Sequence, residues 1–209
     1  MSVGEGLDWL EGEELAWREL AMQEPAEVCR NAGARCDTDS ASYNVKVLGA
    51  DILVCPESRS IQADSACGAF LLEELRHYSR LALLCYLARA RDVPPSGKLV
   101  NPREVGGGLI FSLGAHRLPL DDIAERYGKD SEAFMRQGMM LGGEKAEYGD
   151  ASLILHPFPR MPVAMILWME DEEFPARAEL LFDSTCVEQL PTDIIWSTAM
   201  LAVSAMLMR

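Results

Sequence analysis

The sequence has few basic residues and no run of them. Of its 209 residues, 33 are acidic and 19 are basic, so the formal net charge is −14. Nucleic-acid-binding proteins normally present a basic face, and an anionic membrane surface repels a protein of this charge. We therefore expect neither nucleic acid nor a membrane as a partner.

The chain also lacks a long hydrophobic segment. Its most apolar stretch, residues 194–208, begins with Ile194 and ends with Met208. That stretch has about 15 residues, whereas a transmembrane helix needs roughly 20. The first residues, MSVGEGLDWL, contain neither the basic nor the apolar region of a secretory signal. These features predict a cytoplasmic protein.

Common motifs of catalysis and cofactor binding are missing. The sequence contains no GxxxxGK(S/T), GxGxxG, GxSxG, HExxH or CxxC motif. Their absence removes sequence support for nucleotide loops, nucleophilic serine chemistry, zinc proteases and the usual zinc or iron–sulfur spacings. His77, His116 and His156 also share no metal-binding spacing. The sequence therefore names no cofactor and no catalytic residue.

Six cysteines are present, and in a reducing compartment most should be thiols. Cys29 and Cys36 lie seven positions apart in CRNAGARC, around a predicted turn. One interpretation is two small, partly buried residues that flank a helix end. The other is a metal-binding or redox pair, for which no second pair of ligands is visible.

The spacing of apolar residues predicts several helices. Their approximate ranges are 7–23, 69–91, 119–128, 130–140 and 194–208. The first should bury one stripe of residues, Leu7, Leu10, Trp17 and Leu20. Asp130 is expected to cap the fourth helix, because aspartate accepts hydrogen bonds from the free N–H groups of a first turn.

Strand patterns alternate with these helices. Short runs joined by tight turns form two meanders, at about residues 43–63 and 151–183, and links this short require antiparallel neighbours. We therefore predict an α+β fold with antiparallel or mixed sheets covered by helices. A single domain, 1–209, accommodates this arrangement, and sub-lobes 1–100 and 101–209 are an alternative division.

Four consecutive acidic residues, 170–173, lie between two predicted strands. Charged residues are common at strand ends, so a solvated turn is the leading interpretation. The alternative is a divalent-metal site, because the start of the first strand and the second turn of a meander share one end of the sheet. Asp150 would then meet Asp171 or Glu173, whereas Asp183 should lie at the opposite end.

Two glycine clusters mark loops in which a backbone can approach a ligand closely. Structural turns remain the simpler interpretation for both. If a ligand pocket exists, we expect it where these loops meet a cation and nearby acids. The candidate ligand-binding residues are Arg103, Gly107, Gly142, Gly143, Asp150 and Glu172.

The segments LGGEKAEYGD, LW–DEEFPA and LFD, with YNVKVLG and NPREVGGG upstream, resemble the prokaryotic family called domain of unknown function 3786. The resemblance covers most of the chain and implies a largely anaerobic setting, but no established activity. It also implies relatives joined to an iron–sulfur domain, and this chain has no such cysteine cluster. The matching motif residues are Gly142, Gly143, Gly149, Asp150, Trp168, Asp171, Glu172, Phe174, Pro175 and Asp183.

Three functions are open at this point. The first is a non-catalytic accessory module that binds a small molecule or cofactor in anaerobic metabolism. The second is a divalent-metal-dependent enzyme that uses Asp150, Asp171 and Glu173. The third is a homodimeric interaction protein that associates through the apolar helix 194–208.

Overall fold

The computed structural model describes residues 3–37, 42–106 and 117–208, and within them the chain forms eight helices and nine strands. The helices are α1 (Val3–Ala21), α2 (Pro25–Ala32), α3 (Ala66–Glu73), α4 (Arg76–Arg89), α5 (Leu120–Tyr127), α6 (Ser131–Met140), α7 (Cys186–Gln189) and α8 (Thr192–Met206). The strands are β1 (Arg35–Asp37), β2 (Ser42–Val47), β3 (Ala50–Cys55), β4 (Ser60–Ala63), β5 (Leu99–Val100), β6 (Glu144–Lys145), β7 (Ala151–Phe158), β8 (Met161–Trp168) and β9 (Arg177–Asp183).

The strands form two separate antiparallel sheets. One has the order β1-β2-β3-β4 and the other has the order β5-β9-β8-β7-β6. The predicted α+β fold with two antiparallel meanders is therefore confirmed. Short edge strands, β1 in the first sheet and β5 and β6 in the second, extend the meanders beyond the predicted ranges.

Helices pack around the sheets and supply much of the core. Helix α4 contacts α1 and α8, α5 contacts β9, and α6 contacts β7. Most apolar side chains of α8, including Ile195, Leu201 and Val203, are completely buried within the chain. A dimer through this helix stays a prediction, and it would have to use the half-buried residues Trp196 and Met200.

Two details of the predicted helices were wrong. The range 69–91 contains two helices, because Leu75 leaves the helical backbone conformation (φ −101°, ψ 20°). This break lets α3 pack against β4 while α4 packs against α1 and α8. In α1, Trp17 and Leu20 are buried as expected, but Leu10 is 55% exposed and does not belong to the core face. No helix among the described residues is long and apolar enough to cross a membrane.

The carboxylate of Asp183 fixes the loop that leads into β5 by accepting hydrogen bonds from it. The residue is only 2% exposed. Its Oδ1 accepts hydrogen bonds from the N–H and hydroxyl groups of Ser96 and Thr185, at 2.7–3.0 Å. Its Oδ2 accepts the N–H of Gly97 at 2.7 Å. As expected, the residue lies at the end of β9 remote from the acidic turn, and it serves there as the acceptor that fixes two loops.

We predict that Asp183→Asn lowers the free energy of unfolding by about 2–3 kcal/mol. The new amide N–H group would face the N–H of Gly97, and both donors would lack an acceptor. Urea unfolding measures the difference. Asp51→Asn is the control, because Asp51 is half exposed and its ion pairs with Lys46 and Arg35 should contribute less than about 1 kcal/mol. Equal losses in the two variants would contradict the role of Asp183.

The same substitution has a pH signature. Burial raises the pKa of the Asp183 carboxyl, but hydrogen bonds from Thr185, Ser96 and Gly97 outweigh it and leave the pKa below its usual range. A lowered folded-state pKa stabilises the protein above the unfolded-state pKa of about 4, and this stabilisation is lost as the pH falls through the folded-state pKa. The stability difference between wild type and Asp183→Asn should therefore shrink as the pH is lowered below about 4.

Candidate functional site: a groove beside helix α6

A groove of about 570 Å³ lies between α6 and the segment that joins β6 to β7. This volume falls within the range of roughly 300–1,000 Å³ that is typical of small-molecule sites. We call it the α6 groove. It is lined by Ser131, Glu132, Met135, Arg136 and Met139 on the helix side and by residues 145–151 on the other.

Hydrogen bonds fix the 145–151 wall of the α6 groove. The N–H groups of Ala146 and Tyr148 donate to the carbonyl and hydroxyl oxygens of Ser152, at 3.0 and 2.8 Å. Asp150 binds the end of strand β8: its N–H donates to the carbonyl of Leu167 at 3.0 Å, and its Oδ2 accepts the N–H of Met169, just after the strand, at 2.8 Å. The wall is therefore ordered by the protein itself.

Hydrogen bonds at its first turn and on its buried face also fix helix α6. Asp130 caps its first turn, as predicted, by accepting the N–H of Ala133 at 2.9 Å. The buried face of the helix includes Phe134, Gln137 and Gly138, and the amide of Gln137 donates to the carbonyl of Ala205 in α8 at 3.0 Å. Met135, which is half-buried, and Met139, which is exposed, lie beside this face and line the groove.

The α6 groove combines apolar and charged groups. Met139 is 62% exposed and Tyr148 is 46% exposed, so thioether and aromatic surface is open to solvent. The guanidinium of Arg136 lies 3.5 Å from Glu132 and 3.9 Å from Asp130, which are long, exposed ion pairs of little strength. Within the described part of the chain, Lys145 has no carboxylate partner. Cation and aromatic surface are both available for a ligand.

The acidic turn lies at the end of the sheet where Asp150 was expected. Asp171 Oδ1 accepts the N–H groups of Glu173 and Phe174, at 2.8 and 2.7 Å, and these bonds lower the pKa of Asp171. Glu170 pairs with Lys129 at 3.0 Å, while Glu172 and Glu173 are exposed. This agrees with a solvated turn that is organised by one aspartate.

The metal hypothesis stays a prediction. Asp150 and Asp171 each use one carboxylate oxygen to accept hydrogen bonds from backbone N–H groups of the turn. Among residues 3–37, 42–106 and 117–208, no group of three or more histidine, cysteine, aspartate or glutamate side chains is arranged to hold a metal ion.

Gly142 and Gly143 lie just before β6 and face other protein atoms. Gly142 has φ +71°, and a methyl group on it would lie 2.8 Å from the Cα of Gly49. A methyl group on Gly143 would lie 2.8 Å from the carbonyl oxygen of Gly138 and from Leu155. Both glycines permit close packing next to the α6 groove. Gly107 lies outside the described residues.

Arg103 and Asp150 are not brought together. Arg103 lies on a 3₁₀ turn, Pro102–Glu104, and lines a second groove of about 330 Å³ along Ala178 and Leu180 of β9. Asp150 precedes β7, and strand β8 lies between β7 and β9. The grooves that the two residues line have no lining residue in common.

Two of the six cysteines are joined to each other. Cys29 and Cys36 flank the end of α2 and form a disulfide with a Cα–Cα distance of 5.9 Å. The reason is Gly33, whose left-handed conformation (φ 63°) ends α2 and turns β1 back along it. Cys55, Cys67, Cys85 and Cys186 are thiols. Burial raises the pKa of Cys85 and Cys186 to about 11, so their reactive thiolate forms are scarce near neutral pH.

Sequence reasoning missed Met135, Met139, Lys145 and Tyr148 as groove residues. The available signal was helical spacing: Met135 and Met139 are four positions apart, so they lie on the same side of α6 and can line one groove.

The family comparison agrees with the motifs in the sequence. A family model described as "Domain of unknown function (DUF3786)" matches residues 24–205. The chain belongs to this family. The DUF3786 match spans both sheets and the α6 groove, and it leaves helix α1 outside. No curated protein and no solved structure matches the chain.

Gly142→Ala should destabilise the DUF3786 fold more than Gly97→Ala. Both residues have positive φ, so each alanine carries backbone strain of about 1–2 kcal/mol. A methyl group on Gly97 meets nothing within 4 Å, whereas one on Gly142 meets the backbone of Gly49. The collision should cost on the order of 2 kcal/mol more. Thermal unfolding compares the stability of the two variants. Equal destabilisation would show that the backbone at Gly49 moves aside to accept the methyl group on residue 142.

Asp150→Asn combined with Glu172→Gln should leave the fold intact, with a loss of about 1 kcal/mol or less. Both side chains are exposed, and asparagine keeps an oxygen that can accept the N–H of Met169. Differential scanning calorimetry measures the change. A melting temperature lowered by many degrees would instead make the two carboxylates structural caps.

Proposed function

We propose that this protein is a non-catalytic binding module that holds a small molecule in the α6 groove. The observation that carries the proposal is the pre-ordered wall 145–151, which faces exposed Met139 across a space of small-molecule size. Pre-ordering favours binding because little conformational freedom is lost when the ligand enters.

The lining indicates the chemistry of the ligand. Met135, Met139 and Tyr148 offer polarizable surface for a ring or an aliphatic portion. Lys145 can pair with an anionic group, and Glu147 with a cationic one. A compact molecule with an apolar body and charged ends fits this pattern. Its role as a cofactor or metabolite of anaerobic metabolism belongs to the same proposal and follows from the family resemblance.

A metabolite library screened by protein-observed NMR tests the proposal. We expect ligands to shift the amide signals of α6 and of residues 145–151. Met139→Lys should weaken binding about tenfold, because it replaces apolar contact area in the groove with a charge. Met140→Lys is the matched control: Met140 is the next residue of α6 and is 66% exposed, but it does not line the groove.

Two outcomes would contradict this function. One is an equal loss of affinity in both methionine variants. The other is a set of NMR shifts confined to the second groove, which Arg103 lines.

Native mass spectrometry with Mg²⁺, Mn²⁺ and Zn²⁺ tests the alternative function, a divalent-metal-dependent enzyme. A metal adduct that Asp171→Asn abolishes would favour that enzyme.

A further inference from the structure

The disulfide between Cys29 and Cys36 lies outside the α6 groove and has no part in the proposed function. Cys29 is in the last turn of α2 and is buried, whereas Cys36 is in β1 and is half-buried. The sequence separation is only 7, so the bond joins two segments that are neighbours along the chain. Such a disulfide is either a permanent cross-link or a site that opens and closes by thiol exchange.

The end of α2 is held in place without the sulfur–sulfur bond. Gly33, in the left-handed conformation, ends the helix and donates its N–H to the carbonyl of Cys29. From the turn between β7 and β8, Arg160 donates to the carbonyls of Asn31 and Arg30, at 2.6 and 2.9 Å. These hydrogen bonds join backbone groups and a guanidinium, so reduction of the disulfide leaves them intact.

Other contacts also hold strand β1. Cys36 pairs with Tyr43 in the ladder between β1 and β2. The guanidinium of Arg35 donates to Asn44 of β2 at 3.2 Å and to Asp51 of β3 at 3.1 Å. Both cysteines therefore lie on segments that remain docked when the bond between them breaks. The two thiols then stay close together, and the disulfide can form again without a search for its partner.

An acceptor for the reduced form is already in place. The Sγ of Cys36 lies 3.0 Å from the carbonyl oxygen of Pro25, the first residue of α2. A disulfide sulfur carries no hydrogen, so this contact is not a hydrogen bond while the disulfide is closed. A thiol is a weak donor, and after reduction the S–H group of Cys36 can donate to this carbonyl. The site therefore suits both redox states, whereas a permanent cross-link needs no such acceptor.

The two sulfur atoms differ in accessibility. Thiol exchange requires a thiolate to reach one sulfur of the disulfide, and access decides which one is attacked. Cys36 is the more accessible residue, because it is half-buried on an edge strand while Cys29 is buried under the end of α2. Attack on Cys36 would release Cys29, which lies close enough to close the bond again.

We propose that Cys29–Cys36 is a reversible redox site that takes two electrons from a dithiol. A thiolate of the dithiol attacks Cys36 Sγ and forms a mixed disulfide. The bond between the two cysteines breaks, and Cys29 leaves as a thiolate that takes a proton from water. The second thiolate of the dithiol then attacks the dithiol sulfur of the mixed disulfide, which releases Cys36 as a thiolate that is protonated in turn.

Electrons and protons balance over these two steps. The protein disulfide is reduced to two thiols, and the dithiol is oxidised to a disulfide. The two protons that the dithiol loses to water equal the two that the cysteines take up. The reverse sequence of steps closes the Cys29–Cys36 bond.

A redox titration of the native full chain tests the proposal. The protein is equilibrated anaerobically with mixtures of reduced and oxidised dithiothreitol, trapped with N-ethylmaleimide and mapped by peptide mass spectrometry. We expect Cys29 and Cys36 to become modified together, and the disulfide to form again when the mixture is reversed. The far-UV circular dichroism spectrum should be the same in both states, because the surrounding contacts remain.

Two single-cysteine variants test which sulfur is attacked. Cys29→Ser leaves the thiol of Cys36, and Cys36→Ser is the matched control that leaves the thiol of Cys29. With oxidised glutathione, the Cys36 thiol should form a mixed disulfide about tenfold faster than the Cys29 thiol, because it is less buried. Thermal unfolding verifies that each variant is folded, and the titration of the unmodified chain does not depend on either variant.

Four results would overturn the proposal. A disulfide that is reduced only after urea unfolds the chain is a permanent cross-link. A reduced protein that loses its far-UV spectrum needs the disulfide for its fold. Two thiols that stay reduced in oxidised dithiothreitol do not form a redox pair. A Cys29 thiol that reacts as fast as the Cys36 thiol contradicts the proposed order of attack.

Discussion

The two sheets share no strand, and a backbone contact joins them within one hydrophobic core. The turn between β2 and β3 carries Leu48 and Gly49, both with positive φ, and the N–H of Leu48 donates to the carbonyl of His156 in β7 at 3.0 Å. Positive φ is uncommon for leucine, and the complete burial of its side chain offsets the strain. Because Gly49 also rests on Gly142, this turn sets where α6 ends and β6 begins. The position of the candidate groove thus depends on residues about a hundred positions earlier in the chain.

The long elements were predictable because their patterns are strong and locally consistent. Strands β7, β8 and β9 are joined by short turns, so neither their order nor their direction had a realistic alternative. The short elements were missed, because edge strands of two or three residues are too short to show a pattern of their own and form only by pairing with a neighbouring strand. Leu10 illustrates the same limit: its spacing suits a helix, but only the docking of α1 on α4 decides which face is buried.

The candidate site was harder to foresee than the fold. Asp150 and Asp171 looked like ligands, since carboxylates at strand ends can bind metals or small molecules. In the structure each accepts backbone N–H groups and organises a loop, as Asp183 does at the opposite end of the sheet. They are also motif residues of the family resemblance, so part of that motif describes how the loops are built. Met135 and Met139 carry no motif, because apolar lining is recognised by its exposure, which a sequence does not display.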